Sequence, residues 1–522
     1  MGQSEIHTNL PKSLRASSWC LLALLLALAG GCINLGPKYQ RPDPGFAVPA
    51  SYQHAPPALA TPEPEDRWWE IFQNPEVNQV VEEVLRHNLD IKKATARILE
   101  VRAQFLQVRA DRFPRVEVEG QIQKQDKPVG VTAGPAGGTR LTAEIDSFTF
   151  PAFFEVDLWG RLARAAEAAR EDLLQSEENR HTVAQTVVAE AISLYLQMES
   201  LERQIEITEQ SIENYRDSLD VVNRRYERGL VSILDLRQAR RTLAQAEARL
   251  PGQRQDLGTT QQQLAVLLGR YPKTRPARQL SKDYFKLMNP VPPGLPSELL
   301  LRRPDIRAAE TGLRSLNARV GESFAARFPR ITLTGNLGYT SGDLTQLLRP
   351  DSFLWSVAAG VVQPLFNAGK LKAGQRAAEA RFQQGAADYA KTVLTAFSEV
   401  EKALLTREEQ LRRRERLLNF LEESRATQRV AESRYVRGLT PYLDVLEAQQ
   451  TRFQAEENLV LVDFAILNNR VSLHRALGGG WGSLAPPAYR QVRGLKKALT
   501  KEKQKLSSRQ ESEDPGGRTP AR

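Results

Sequence analysis

Between Gly160 and Gly229 the chain contains neither glycine nor proline. Nothing there stops a helix, and at 1.5 Å per residue such a helix runs roughly 100 Å. Apolar or small side chains recur along it at steps of three and four, from Leu162, Ala166 and Leu173 through Val187, Ala191 and Leu194 to Leu219, Val222 and Tyr226. That spacing is a coiled-coil seam, in which one narrow stripe meets other helices and charged residues on the remaining faces meet water. Arg228-Gly229-Leu230 reads as a tight reversal, and residues 231–268 as a second helix running back. A helix this long exceeds what one compact core covers, so the 522 residues are not a row of ordinary globular domains.

The programme occurs twice. Phe113-Pro114-Arg115 returns 215 residues later as Phe328-Pro329-Arg330, and Arg225-Tyr226-x-Arg228-Gly229-Leu230 returns 209 residues later as Arg434-Tyr435-x-Arg437-Gly438-Leu439. At the second offset Leu234-Asp235 matches Leu443-Asp444, Gln245-Ala246-Glu247 matches Gln454-Ala455-Glu456, and Leu268-Gly269 matches Leu477-Gly478. An internal duplication is the economical reading. It divides the chain into a signal peptide (1–31), a Pro- and Ala-rich tether (32–66), a first repeat (67–271), a Pro-rich link (272–296), a second repeat (297–481) and a basic tail (482–522). Each repeat reads helix, strand, loop, strand, long helix, reversal, helix, and Trp68-Trp69 packs the start of helices over 75–87 and 89–112.

The strands show a period of two. Val116, Val118, Gly120 and Ile122 alternate with Glu117, Glu119, Gln121 and Gln123, and the returning strand has the apolar face Phe148, Phe150, Ala152, Phe154 and Val156. Between them the Gly- and Pro-rich stretch 126–140 lacks a phosphate-loop pattern and reads as a solvent loop. The second copy has Ile331, Leu333, Gly335, Leu337 and Tyr339, then Phe353, Trp355, Val357, Ala359 and Val361. Half-polar strands of about 9–11 residues suit a transmembrane barrel, with aromatics at its interfaces. Four strands cannot close one, and lipid tolerates no open edge, so several copies must share it. On pattern alone, a soluble β-sandwich on a coiled coil stays open.

Lys12 and Arg15 precede an apolar run from Cys20 to Ala29 that is too short to span a bilayer, and Gly30-Gly31-Cys32 follows. The pattern fits a lipoprotein signal with Cys32 as the lipidated residue; an ordinary secretory peptide is the alternative. Of the formal charge of +10, the stretch 490–522 carries +6 and residues 1–31 carry +1, so the body is nearly balanced and nucleic acid is not an expected partner. The five histidines, His7, His54, His87, His181 and His474, have no metal-ligand spacing, and no cysteine remains after Cys32 as a nucleophile. Neither an enzyme nor a cofactor is expected.

Gly36-Pro37-x-Tyr39-x-Arg41-Pro42, Trp68-Trp69-x-x-Phe72-x-x-Pro75, Leu158-Trp159-Gly160-Arg161, Leu295-Pro296-Ser297-Glu298-Leu299-Leu300-x-Arg302-Arg303-Pro304-Asp305-Ile306-Arg307 and Leu477-Gly478-Gly479-Gly480-Trp481 together resemble the outer-membrane efflux protein family, TolC-like lipoproteins serving inner-membrane resistance-nodulation-division pumps. The resemblance implies an α+β membrane protein: a homotrimer sharing a twelve-stranded β-barrel in outer-membrane lipid, with a long α-helical barrel in the periplasm. It implies a passive exit duct gated at its periplasmic tip. Gly229, Leu230, Val231, Gly438, Leu439 and Thr440 become contacts for a periplasmic adaptor protein, and Leu443 and Glu447 an apolar and an acidic ring at the aperture. Gln450 stands where relatives carry Arg. Two alternatives are a type I secretion component and a periplasmic coiled-coil scaffold without a pore. The lipid assignment predicts that Cys32→Ser abolishes fatty-acid labelling; unchanged labelling disproves it.

Overall fold

The computed structural model describes residues 35–43, 45–55, 67–129, 139–272, 285, 291, 294 and 296–479. The signal segment, Cys32, residues 56–66 of the tether, most of the 272–296 link, Trp481 and the tail lie outside the described residues. The helices are α1 (Pro75–His87), α2 (Leu89–Ala110), α3 (Arg161–Glu227), α4 (Ile233–Leu267), α5 (Pro296–Arg302), α6 (Pro304–Ala325), α7 (Lys370–Val436) and α8 (Tyr442–Ala476). The strands are β1 (Arg115–Val116), β2 (Glu119–Val129), β3 (Thr139–Val156), β4 (Arg330–Ser341) and β5 (Phe353–Val362). Both ends of α6 lie 215 residues after those of α2, and both ends of α7 and α8 lie 209 after those of α3 and α4. Among the described residues, no helix is long and apolar enough to cross a membrane.

α3 and α7 each run 67 residues. α3 is bounded by Gly160 at φ 76° and Gly229 at φ 70°, and α7 by Gly369 at φ 80° and Gly438 at φ 73°. These left-handed positions end the helices because only glycine adopts them without a Cβ penalty. α4 continues through Pro251, which removes the amide that would serve the carbonyl of Glu247. Both residues are exposed, so water replaces the lost bond.

Five segments make four antiparallel strands, in the order β1/β2, β3, β4, β5. β1 and β2 share one register against β3, with Val116 opposite Ala152 and Glu119 opposite Thr149. The gap between them falls opposite Pro151. Glu117 donates its N–H to the Pro151 carbonyl (3.0 Å), but proline has no N–H to return, so the ladder breaks there. β2 extends to Val129 and β3 begins at Thr139, which corrects the reading of 126–140 as a solvent loop throughout. The ladder continues because each strand supplies donors and acceptors after the apolar alternation has faded; residues 130–138 lie outside the described ones.

The chain forms two compact units. The first (Met1–Pro44, Ile98–Ser176, Ala308–Ala390) holds the sheet. In it the tether docks on α6: a Cβ at Gly36 would stand 2.6 Å from Gly321 Cα, and Asn317 donates to the Pro37 carbonyl (3.1 Å). Arg41 (2.6 Å) and Arg314 (2.7 Å) pair with Glu310. Burial pushes the Glu310 carboxyl up, but the two guanidiniums outweigh it and hold the group below its usual range.

The second unit (Gly45–Arg97, Glu177–Arg307, Lys391–Arg522) has a core of Trp68, Trp69, Val81, Val84, Ile192, Tyr195 and Leu268. Trp68 stacks on His474 at 5.0 Å, and burial, helped by Arg470, pushes that imidazole down to about 3, so it is neutral. Arg303 donates to Asp305 (2.6 Å), Glu399 (2.7 Å) and the Ala476 carbonyl (3.0 Å), tying the α5–α6 corner to the end of α8. The Arg-Arg-Pro-Asp motif is thus a structural clamp.

Packing between β3 and β4 leaves no room at Gly338, where a Cβ would lie 2.3 Å from the Phe148 carbonyl oxygen and 2.6 Å from Thr149 Cα. Gly338→Val should therefore cost about 3 kcal/mol, read as a lowered unfolding midpoint in detergent.

Candidate functional site

The two hairpin reversals are built alike from local hydrogen bonds. At the first, Gly229 donates to the Tyr226 carbonyl (2.8 Å) and Leu230 to that of Arg225 (2.9 Å). At the second, Gly438 donates to Tyr435 (2.9 Å) and Leu439 to Arg434 (2.9 Å). A Cβ at Gly229 would meet nothing within 4 Å, so the turn needs glycine for its φ and not for space. The following helices start differently. Ser232 caps α4 reciprocally with Asp235, accepting from its amide at 3.2 Å and donating its own at 3.0 Å. Pro441 caps α8 with no side-chain acceptor, and the Thr440 hydroxyl donates instead to the Asp444 carboxylate.

Beneath the tips lies one apolar cluster of Ile212, Val222, Leu236, Tyr435, Tyr442 and Val445, with Tyr215 edge-on to Phe453 at 5.5 Å. Burial raises the phenols of Tyr435 and Tyr442 and pushes that of Tyr215 up to about 12, so all three stay neutral packing groups. The sequence-predicted residues divide here. Val231 packs against the cluster, the Thr440 hydroxyl donates to the Asp444 carboxylate, and the two glycines turn the chain. Leu230, Leu439, Leu443 and Glu447 point to solvent. Leu443 and Glu447 share one side of α8, opposite the buried Tyr442, Leu446 and Gln449.

Three features were not predicted. Arg225 crosses between hairpins, donating to the Tyr435 carbonyl (2.7 Å) with its guanidinium 4.6 Å from the Tyr435 ring centre. Gln449, buried in α8, donates to Ser218 (3.0 Å) and Glu432 (3.0 Å). A cavity of about 190 Å³ opens beside these groups, lined by Ser218, Val221, Glu432, Tyr435, Tyr442 and Gln449. Arg225 was visible in the sequence only as part of a repeated motif; its partner, a main-chain carbonyl in the other half, leaves no sequence signal. Among the described residues no three His, Cys, Asp or Glu side chains cluster as a metal site.

Arg225→Ala should unlock the second tip by about 1.4 kcal/mol, seen as roughly tenfold faster hydrogen exchange at the Gly438 amide. Arg225→Lys should restore only part of the protection, because an ammonium lacks the planar stack.

The model of the family described as "Outer membrane efflux protein" matches residues 80–270 and 295–479. The chain is 32% identical over 466 residues to the cation efflux system protein CusC of Escherichia coli (strain K12), covering 88% of this chain and 99% of CusC. It is 30% identical over 457 residues to the probable outer membrane lipoprotein SilC of Salmonella typhimurium, covering 87% and 97%. The solved structure of the outer-membrane channel OprN aligns with a TM-score of 0.79 at 30% identity, covering 86% of this chain and 99% of that one. The chain belongs to the outer membrane efflux protein family, and its place is the outer membrane.

Proposed function

We propose that three copies of this chain share a twelve-stranded barrel and form a passive exit duct, docked through the hairpin tips to a periplasmic adaptor and an inner-membrane pump of the resistance-nodulation-division class. The observation that carries the reading is the sheet. All four predicted apolar sets fall on one face, as Val116, Ala152, Gly335 and Val357 stand in one row and Phe148, Tyr339 and Phe353 in another. Among the described residues no layer covers that face: Trp355 is 70% exposed, and Ile122, Phe150, Val357 and Val361 are exposed too. Past the aromatic row the face turns polar, with Lys124 paired to Glu144 at 2.9 Å. An uncovered apolar face with an aromatic row and a charged border suits a lipid boundary, and its two open edges require partner strands.

The coincident helix bounds and glycine positions support an origin of the two halves by duplication. Lipidation at Cys32 is supported by the docking of the tether: the Leu35 amide donates to the Trp159 carbonyl (3.2 Å), three residues past the end of β3. Leu35 is the third residue after Cys32, a reach of about 10 Å, so an acyl chain there would enter lipid beside the foot of the sheet. At the tips, Leu230 and Leu439 are exposed apolar groups for an adaptor, and Leu443 with Glu447 would ring the aperture.

Planar-bilayer recordings test the duct. Replacing Leu443 and Glu447 by alanine should raise single-channel conductance above that of the wild-type protein. Purified protein that forms no pores, even with both replacements, would sink the proposal.

A further inference from the structure

The cavity of about 190 Å³ beneath the hairpin tips has walls from both hairpins. α3 supplies Asp217 and Val221, α7 supplies Glu432 and Tyr435, and α8 supplies Tyr442 and Val445. No lysine or arginine is among the described residues that line it. An engineered apolar cavity of about 150 Å³ in another protein holds a benzene molecule, so this one has room for a single compact organic group.

Its acceptors are only partly satisfied. Glu432 Oε1 accepts from Gln428 (2.7 Å) and from the buried Gln449 (3.0 Å), whose amide also donates to Ser218 (3.0 Å). Among the described residues, Glu432 Oε2 takes no hydrogen bond, and neither does either oxygen of Asp217. The buried Tyr435 hydroxyl has no hydrogen-bond partner. The nearby cations are committed elsewhere. Arg225 donates to the Tyr435 carbonyl at 2.7 Å with its guanidinium 4.6 Å from the ring centre, and Arg452 pairs with Glu456 (3.2 Å) and donates to Gln428 (3.3 Å). The cavity thus gathers two carboxylates and a phenol around an apolar wall, without a positive charge to answer them.

We infer that this cavity binds one small organic amine per chain, with the ammonium on Glu432 and Asp217 and the apolar body against Val221, Val445 and the Tyr442 ring. The inference is independent of the duct reading, since every group it uses belongs to the helices of one chain. The lining excludes other chemistries. An anion would meet two carboxylates and no cation. Ca²⁺ asks for about six to eight oxygen ligands and Mg²⁺ for a near-ideal octahedron, and among the described residues no three His, Cys, Asp or Glu side chains cluster for a metal. A neutral apolar molecule would expel water from the carboxylates and offer them no donor in return. An ammonium brings three donors and the missing charge. Because the walls belong to both hairpins, occupancy ties α3 to the α7–α8 pair and favours the arrangement seen in this structure.

Benzylamine is the probe, because benzyl alcohol has nearly its shape without the charge. Titrated calorimetrically into the full-length protein in detergent, benzylamine should bind saturably at one site per chain, and benzyl alcohol about tenfold more weakly or less, the loss expected for a charge-assisted hydrogen bond. Glu432→Gln, whose amide oxygen can still accept from Gln428 and Gln449, should weaken benzylamine about tenfold. Val221→Phe fills the cavity and leaves both carboxylates in place, and it should abolish binding. Should that variant not fold, Glu432→Gln and the alcohol decide. Equal affinity for amine and alcohol, or unchanged amine affinity in either folded variant, overturns the site, and displacement of benzylamine by equimolar Mg²⁺ would make it a metal site instead. At ten times its dissociation constant, benzylamine should slow hydrogen exchange at the Gly438 amide about tenfold in the wild-type protein. Binding without that protection overturns the tie between the hairpins.

Discussion

A strand's edge presents N–H and C=O groups that must be paired wherever water is absent, and the rest of this molecule follows from how that requirement is met. Within the chain it is met where β1 and β2 meet β3, where β3 meets β4 and where β4 meets β5. The sheet is a single layer whose apolar side is exposed among the described residues. A soluble protein with such a layer would cover it with a second sheet or helices. Here the helices are occupied with one another: their buried residues form clusters of helix against helix, centred on Val188, Ile192 and Leu264 and again on Val222, Leu236 and Val445. The sheet is left to be completed from outside the chain.

The same economy governs the helices. α3 and α7 have equal lengths because glycines in the left-handed conformation begin and end them at matching positions. Equal backbones then carry unequal surfaces. Gln238 and Arg241 of α4 occupy the repeat positions of Glu447 and Gln450 of α8, and the Ser232–Asp235 cap is replaced by Pro441 with the Thr440–Asp444 contact. Two hairpins of one geometry thus present different charge at their ends.

Much of this was legible in the sequence, because period and punctuation are local properties. Alternation located all four strand faces, and the glycine reversals marked both tips. The stretch 126–140 was misread because Gly and Pro signal loops, whereas β-ladder pairing depends on the partner strand as well as on composition. The break opposite Pro151 was hidden for a related reason, since a missing donor on one strand interrupts the strand beside it. Arg225 on the Tyr435 carbonyl and Arg303 on the Ala476 carbonyl were invisible because a main-chain acceptor carries no residue identity. Val231, placed among the docking residues from the motif, packs against the core. Its neighbour Leu230 is solvent-facing, a distinction that depends on where the turn directs each Cβ.

On the proposed duct reading, a tip that seals and also opens must exchange contacts at small net free energy. Its polar contacts suit that demand. Arg216–Glu247 and Arg254–Glu209 are exposed pairs at 2.6 Å and 2.8 Å, worth about 0–1 kcal/mol each. Gln449 shares donors with Ser218 and Glu432, neutral and charged acceptors that water could replace once the adjoining cavity widens. The apolar cluster under the tip differs, since separating Tyr215 from Phe453 or Val445 from Val222 would expose area at about 25 cal/mol per Å². On the duct reading, opening at the lowest cost breaks the exposed polar pairs first and keeps that cluster whole, and with it the turn of α8, Tyr442 to Ala448, on which Leu443 and Glu447 sit.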